Sequence, residues 1–172
     1  MTKNYKFFWT SNSPGSNWYL SKFTLDGIEF ISAEQAMMYY KAITFGDTLI
    51  ASKILKETSQ REIKALGRKV KNFDERIWGI VSKPIMVRVL SAKFSQDETC
   101  YDWLMFPKDA YFVEASPYDK IWGIGLKEDD PRAKDERTWQ GENRLGDTLN
   151  ETRDNFLAAM LIERDKNDPD ET

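Results

Sequence analysis

Runs of apolar and polar residues along the chain predict a mostly helical protein with a few short strands. An aromatic run at residues 5–10 and an apolar segment at residues 110–115 are typical of strands. Residues 23–31 contain two strand-like pieces that meet at Asp26-Gly27, a dipeptide that favours a hairpin turn. We therefore predict a small antiparallel sheet beside the helices.

Helical spacing of apolar residues accounts for most of the remaining chain. Ser32 is a candidate N-cap, and Gln35 at the third position beyond it completes a capping box for a helix that extends to about Phe45. Pro84 lies inside the longest predicted helix, so we expect a kink or two abutting helices there. The other helices are predicted at residues 48–57, 59–67, 73–94, 98–105 and 145–164.

Length and composition indicate one folded domain. The chain has 172 residues, of which 41% are hydrophobic and 13% aromatic, enough for a sizeable core. We predict a single, mostly helical domain at residues 1–164, followed by an acidic, frayed tail at residues 165–172. In the last helix we expect Leu149, Phe156 and Met160 to face the core.

Charge and residue usage exclude several classes of function. The formal net charge is −3, so the chain does not bind nucleic acid non-specifically with much force. His is absent, which removes the commonest general base and the commonest metal ligand. Catalysis would therefore depend on carboxylates, Lys, Tyr or backbone dipoles. The chain lacks His and a clustered acidic set, so nothing indicates a metal site. We expect no cofactor.

The cellular setting follows from cysteine usage and from the absence of long apolar runs. Cys100 is the single cysteine and cannot form an internal disulfide, which fits a reducing compartment such as the cytosol. The first residues carry charges rather than a signal sequence, and no window approaches the ~20 apolar residues that span a bilayer. We expect a cytoplasmic protein without membrane contact, and the sequence does not indicate its oligomeric state.

A carboxylate and an amine lie on one face of the first predicted helix. Glu34 and Lys41 are seven residues apart, about two turns, with the apolar Met37 and Met38 between them. In a semi-apolar pocket they would form an acid/base or nucleophile pair. The alternative is a pair of ordinary polar residues at the edge of a surface helix.

Two further groups of charged residues have both a functional and a structural interpretation. Residues 61–76 carry an excess of Lys and Arg, including Arg68, which suits a phosphate-bearing ligand or a solvated basic face. Glu114 and Asp119 lie at a strand-to-loop transition just before Trp122. Trp122 either stacks on a planar base or fills the core, and Asp119 either reacts or caps a turn.

Glycine-rich segments at residues 122–125 and 141–146 flank a charged loop at residues 127–138. Gly123 and Gly125 do not form a dinucleotide-binding fingerprint, because the third glycine of that motif is missing. Asn143 lies at a helix entrance, where free N–H groups favour anions, and could hold a ribose or an amide. Arg153 could pair with Glu34 or Asp119, or could be solvated.

These residues, in this order and spacing, resemble the YbiA-like family, also called NADAR (NAD- and ADP-ribose-associated), over roughly residues 7–157. The matching positions are Ser16-Asn17, Asp26-Gly27, Ser32-Ala33-Glu34-Gln35, Lys41, Gly67-Arg68, Trp78, Ala92-Lys93-Phe94, Glu114, Asp119, Trp122-Gly123-Ile124-Gly125, Gly141, Asn143, Leu145-Gly146 and Arg153.

The resemblance implies a compact, largely helical α+β domain and an N-glycosidase that cleaves a ribosyl C–N bond. One branch of the family acts on phosphorylated intermediates of riboflavin synthesis, and another removes ADP-ribose from modified guanine in nucleic acid. The implied catalytic residues are Glu34, Lys41 and Asp119. The implied substrate-binding residues are Ser16, Asn17, Arg68, Trp78, Glu114, Trp122, Gly123, Gly125, Asn143 and Arg153.

Chemistry at a ribosyl bond agrees with these residue types. Cleavage builds oxocarbenium-like charge on the sugar, which a carboxylate such as Glu34 stabilises. Lys41 could form a Schiff base with an opened sugar or protonate the departing nitrogen, and Asp119 is a second acid/base candidate. The alternatives are a module that binds ADP-ribose or a nucleotide without cleaving it, and a purely structural protein.

Overall fold

The computed structural model describes residues 3–167. Within them the chain forms an α+β fold in which six helices surround two short strand pairs. The elements are β1 (Asn4–Phe8), β2 (Phe23–Leu25), β3 (Ile28–Phe30), α1 (Ala33–Thr44), α2 (Thr48–Lys56), α3 (Gln60–Arg68), α4 (Glu75–Gln96), α5 (Glu98–Met105), β4 (Ala110–Glu114) and α6 (Arg144–Asn167).

The two strand pairs differ in direction. Strands β2 and β3 form the predicted antiparallel hairpin, whose turn has positive φ at Asp26 (53°) and Gly27 (75°). Strands β1 and β4 pair in parallel, with Asn4 opposite Ala110 and Phe8 opposite Glu114. The predicted antiparallel sheet is confirmed as this hairpin, and the parallel pair is an addition that the sequence did not indicate.

Helix α4 continues through Pro84, so the expectation of two abutting helices is wrong. A proline removes one backbone hydrogen bond, the one that the carbonyl of Ile80 would accept. Ile80 is 76% exposed, so water can take the place of the missing donor. The apolar positions Met86, Val89 and Leu90 on the other side of the helix stay buried.

The core is built around α4 and closed by α1, β4 and α6. Phe94, Ala36, Phe112 and Leu149 are fully buried in one cluster. The predicted positions of Leu149 and Phe156 in α6 are confirmed, because both belong to or pack on this cluster.

The far end of α6 extends beyond the core. Met160 is 51% exposed, so its predicted place on the inner side is wrong. The helix continues to Asn167, so residues 165–167 of the predicted tail are helical, and residues 168–172 lie outside the described residues. No helix within residues 3–167 combines the length and the apolar character needed to cross a membrane.

The start of α1 is fixed by hydrogen bonds of Gln35. Ser32 Oγ accepts from the backbone N–H of Gln35 (3.1 Å), as the capping box predicts. Gln35 Oε1, however, accepts from the N–H of Ile31 (3.0 Å) rather than of Ser32, and its Nε2 donates to the carbonyls of Ile54 and Glu57 (both 3.0 Å). The end of α2 is thereby tied to the turn that carries Glu34.

The first turn of α6 packs directly on β4. A Cβ at Gly146 would collide with the carbonyl oxygen of Phe112 and with the side chain of Asn143. Gly79, on the exposed side of α4, has open space around the corresponding position. The two glycines therefore tolerate substitution very differently.

We predict that Gly146→Ala lowers the free energy of unfolding by about 1–3 kcal/mol, because the added methyl group overpacks this contact. Gly79→Ala is the control, and we expect it to raise the free energy of unfolding by ~0.5–1 kcal/mol through helix propensity. Equilibrium unfolding in denaturant measures both. An unchanged unfolding midpoint for Gly146→Ala would contradict the close packing of α6 on β4.

Candidate active site

A cleft with two adjoining chambers lies beside the carboxyl ends of β1 and β4. The inner chamber has a volume of about 160 Å³ and the outer one of about 400 Å³. Both are lined by Ser16, Trp18, Lys64, Glu114 and Asp119. The inner chamber adds Asn17, Glu34, Met37, Met38, Trp78, Met86 and Trp122. The outer chamber adds Trp9, Thr10, Ser11, Ser116 and Tyr118.

Glu34 enters the inner chamber from the first turn of α1 and is only 6% exposed. Its backbone N–H donates to the carbonyl of Asn17 (2.8 Å), which fixes the helix start against the loop after β1. Burial raises the pKa of the Glu34 carboxyl, and the charge of Asp119 adds to this. Lys64 and a hydrogen bond from the Trp18 side chain act in the opposite direction.

Glu114 ends β4 and lines both chambers. Its backbone N–H donates to Asn143 Oδ1 (3.0 Å), and its carbonyl accepts from the N–H of Ile124 (2.9 Å). Burial raises the pKa of its carboxyl to about 8, with further contributions from Asp119 and Glu34. Glu114 is therefore largely protonated at neutral pH.

Asp119 is held by the turn that precedes Trp122. Its Oδ1 accepts from the backbone N–H groups of Ile121 (2.9 Å) and Trp122 (2.8 Å), and its carbonyl accepts from the N–H of Gly125 (3.1 Å). The predicted turn cap is thus present, and Asp119 also lines both chambers. The turn directs Trp122 into the inner chamber.

The two glycines of this turn shape the backbone. Gly125 has a φ of 69°, a conformation that other residues rarely adopt. A Cβ at Gly123 would lie 3.0 Å from the carbonyl oxygens of Asp119 and Glu114. Neither glycine belongs to the lining of the two chambers, so both act by allowing the loop to close on β4.

A buried lysine supports the loop that carries Ser16 and Asn17. The ammonium of Lys93 is fully buried and donates to the carbonyls of Pro14 (2.7 Å) and Ser16 (3.1 Å). Burial lowers its pKa to about 8. Asn17 Oδ1 is buried with no hydrogen-bond partner within residues 3–167, so it can receive a donor from a ligand.

Comparison with known proteins identifies the family of this chain. A family model described as the NADAR domain matches residues 7–157. The chain belongs to the NADAR domain family. Protein irg-1 of Caenorhabditis elegans is 40% identical over 175 residues, covering 92% of this chain and 82% of that protein. N-glycosidase R617 of Acanthamoeba polyphaga mimivirus is 38% identical over 164 residues, covering 89% and 96%.

The fold has also been seen in a solved structure. The NMR structure of the Escherichia coli protein YbiA aligns with a TM-score of 0.76 and 23% sequence identity, covering 94% of this chain and 89% of that one. The expected resemblance to YbiA-like NADAR proteins is confirmed by the family match and by this shared α+β fold.

The lysine that lines the cleft of this NADAR domain is Lys64. It lies on α3, with its Nζ 5.7 Å from the centre of the Trp18 ring. Lys41, expected in the site, has its Nζ 4.2 Å from the centre of the Phe73 ring and 5.8 Å from that of Trp78. Burial lowers the pKa of Lys41, and Glu34 partly offsets this effect. Lys41 does not belong to the lining of either chamber.

Besides Gly123 and Gly125, three residues expected to bind substrate lie outside the lining of the two chambers. Arg68 is exposed at the end of α3, one turn from Lys64, and influences Glu34 and Lys41 only through its charge. Both side-chain polar atoms of Asn143 bind the β4 backbone. The guanidinium of Arg153 donates to the carbonyl of Ala110, so it neither pairs with Glu34 or Asp119 nor is solvated.

Sequence reasoning missed several lining residues. Trp18 follows Ser16-Asn17 directly, and Lys64 lies four residues before Arg68 on one helix face, so both had a signal in their neighbours. Trp9 and Tyr118 gave no such signal, because an aromatic residue that follows a strand usually belongs to the hydrophobic core. Their ring centres lie 5.9 Å apart, and Tyr118 is 85% exposed.

The raised pKa of Glu114 predicts a pH-dependent effect of Glu114→Gln on stability. The pKa of this carboxyl is higher in the folded chain than in the unfolded chain. Ionisation of the carboxyl at high pH therefore destabilises the folded protein. The contribution of this carboxyl to stability falls as pH rises from about 4.5 toward 8. Glu114→Gln removes this cost, so we expect its melting temperature to exceed that of the wild type by at least ~2–4 °C at pH 9 and by less at pH 5.

Thermal unfolding of both proteins across this pH range measures the effect. Glu29→Gln is a matched control, because the Glu29 side chain is 68% exposed. A melting-temperature difference for Glu114→Gln that stays constant from pH 5 to pH 9 would contradict the raised pKa.

Proposed function

We propose that this chain is an N-glycosidase that hydrolyses the C–N bond between a ribosyl carbon and a base or amine. The observation that carries the proposal is the convergence of Glu34, Glu114 and Asp119 on one cleft. The name of the mimivirus relative, which is 38% identical over 89% of this chain, supports the same activity.

The geometry suits a transition state with positive charge on the sugar. Breaking a ribosyl C–N bond leaves an oxocarbenium-like carbon, which a carboxylate close to the ring stabilises electrostatically. Glu34 is our candidate for this role, because the growing positive charge favours its ionised form against the cost of burial. Trp78 and Trp122 provide flat apolar walls for the base, and Asn17 Oδ1 can accept from a ribose hydroxyl.

The substrate we favour is ADP-ribose attached to a modified guanine, in nucleic acid or as a nucleotide. The outer chamber adds room beyond the inner one, and its rim carries the aromatic pair Trp9 and Tyr118, on which a second base can stack. Lys64, with Arg68 one turn away, supplies positive charge for phosphates. A phosphoribosylated intermediate of riboflavin synthesis is the shorter alternative substrate.

Lys41 is a candidate for covalent catalysis. Its lowered pKa favours the neutral amine that attacks an opened sugar aldehyde. Such an attack requires the amine to leave the Phe73 ring and enter the inner chamber, whose lining does not include Lys41. Borohydride trapping followed by peptide mass analysis would identify the lysine that becomes attached to the sugar, Lys41 or Lys64.

We predict that Glu34→Gln lowers kcat for an ADP-ribosylated guanine nucleoside by about 10²–10³, because the carboxylate that stabilises the transition state is lost. Ligand binding should persist, since the amide has the same shape. Chromatography and mass analysis of the products measure turnover, and Glu29→Gln serves as the control with wild-type activity. Tight ADP-ribose binding by the wild type, without cleavage of either substrate class, would instead favour the non-catalytic binding module.

We predict that Trp9→Ala and Tyr118→Ala discriminate between the two substrates. Loss of one stacked base costs about 1–3 kcal/mol, so kcat/KM for the ADP-ribosyl substrate should fall about 5–150-fold. A phosphoribosylamino-pyrimidine does not reach the outer rim, and its kcat/KM should stay within about twofold of the wild-type value. Equal losses on both substrates would rule out a stacking role for this aromatic pair.

A further inference from the structure

Glu114 differs from the other two carboxyls of the cleft in its hydrogen bonds. Asp119 accepts from two backbone N–H groups, and the Trp18 side chain interacts with Glu34 in the direction that lowers the pKa of its carboxyl. Glu114 Oε2 is buried and has no hydrogen-bond partner within the described part of the chain. An ionised carboxylate with a buried, undonated oxygen is costly, whereas a neutral carboxylic acid avoids most of that cost.

The charges that surround Glu114 favour the same neutral state. Asp119 faces it from the loop after β4, and Glu34 faces it from α1. Lys64, on α3, is the opposing cation. From β1 the register partner is Phe8, which carries no charge. Burial is the largest cause of the raised pKa of Glu114, and the two neighbouring carboxyls raise it further, while the Lys64 ammonium lowers it. The resulting pKa is about 8.

The backbone holds Glu114 in a fixed position at the cleft. Its N–H and its carbonyl are both engaged, by Asn143 Oδ1 and by the N–H of Ile124. The side chain lines the inner and the outer chamber. A protonated group on a rigid strand end, in the chamber that Trp78 and Trp122 also line, is arranged to deliver a proton.

We propose that Glu114 is the general acid of the reaction and gives its carboxyl proton to the departing nitrogen. This inference rests on the proposed N-glycosidase function and adds the residue that activates the leaving group. It assigns to Glu114 the proton transfer that the sequence left open between Lys41 and Asp119.

The step balances with water as the only co-substrate. The C1′–N bond breaks, its electron pair stays on nitrogen, and the proton of Glu114 moves to that nitrogen. Water adds to C1′ and loses one proton to Asp119, whose two backbone hydrogen bonds both fall on Oδ1 and leave Oδ2 for this proton. Proton return from Asp119 to Glu114, directly or through solvent, restores the starting state.

The test is the pH profile of kcat/KM for wild type, Glu114→Gln and Glu34→Gln on the ribosyl-guanine or ribosylamine substrate that the wild type cleaves. We expect the wild-type activity to fall above pH about 8 as Glu114 loses its proton. Glu114→Gln should be about 10²–10⁴-fold less active and should lack this alkaline limb. Retention of the limb in Glu114→Gln, or near-wild-type activity, would overturn the assignment.

A leaving group that needs no proton separates acid catalysis from a structural role. Nicotinamide departs from NAD as a neutral molecule, so Glu114→Gln should cleave NAD at a rate within about threefold of the wild-type rate, while Glu34→Gln should lose activity on every substrate. Equal losses by Glu114→Gln on NAD and on guanine would overturn the proposal.

A spectroscopic measurement follows the proton without turnover. The infrared difference between wild type and Glu114→Gln should contain a carboxylic-acid carbonyl band at pH 6 that disappears as pH rises through about 8. An ionised Glu114 at pH 6 would overturn the general-acid role. If the wild type cleaves no ribosyl substrate, the proposed N-glycosidase function is wrong. The infrared band then still shows whether Glu114 is protonated.

Discussion

The cleft depends on the parallel pairing of β1 with β4. The carboxyl ends of parallel strands lie at the same edge, so the chain that leaves Phe8 and the chain that leaves Glu114 emerge side by side. The first of these segments supplies Trp9 and Trp18, and the second supplies Asp119 and Trp122. Helices α1 and α3 add Glu34 and Lys64 to the same cleft.

Hydrogen bonds to the β4 backbone explain why two residues that look functional are structural. The amide of Asn143 satisfies the N–H of Glu114 and the carbonyl of Phe112, and Arg153 satisfies the carbonyl of Ala110. Buried backbone groups require such partners. These bonds hold β4 and the following loop in place, so the carboxyls of the cleft can be kept close together despite their mutual repulsion.

Local sequence signals predicted most of the fold and part of the site. The Asp26-Gly27 turn and the Ser32 cap lie where short-range chemistry puts them, and the resemblance to NADAR proteins led to Glu34, Glu114 and Asp119. The β1–β4 pairing escaped prediction because its partners are 106 positions apart, with no local signal of direction. Lys41 seemed the obvious amine from helical spacing, but spacing does not reveal that its ammonium lies near the Phe73 and Trp78 rings and outside the chamber lining.

The central claim is that this NADAR domain cleaves a ribosyl C–N bond rather than merely holding a nucleotide. The most direct measurement is incubation of the wild-type protein with an ADP-ribosylated guanine oligonucleotide, with identification of the products by chromatography and mass. We expect free ADP-ribose and an oligonucleotide that contains unmodified guanine. Recovery of the intact oligonucleotide, still carrying ADP-ribose, from a protein that binds it would contradict the account.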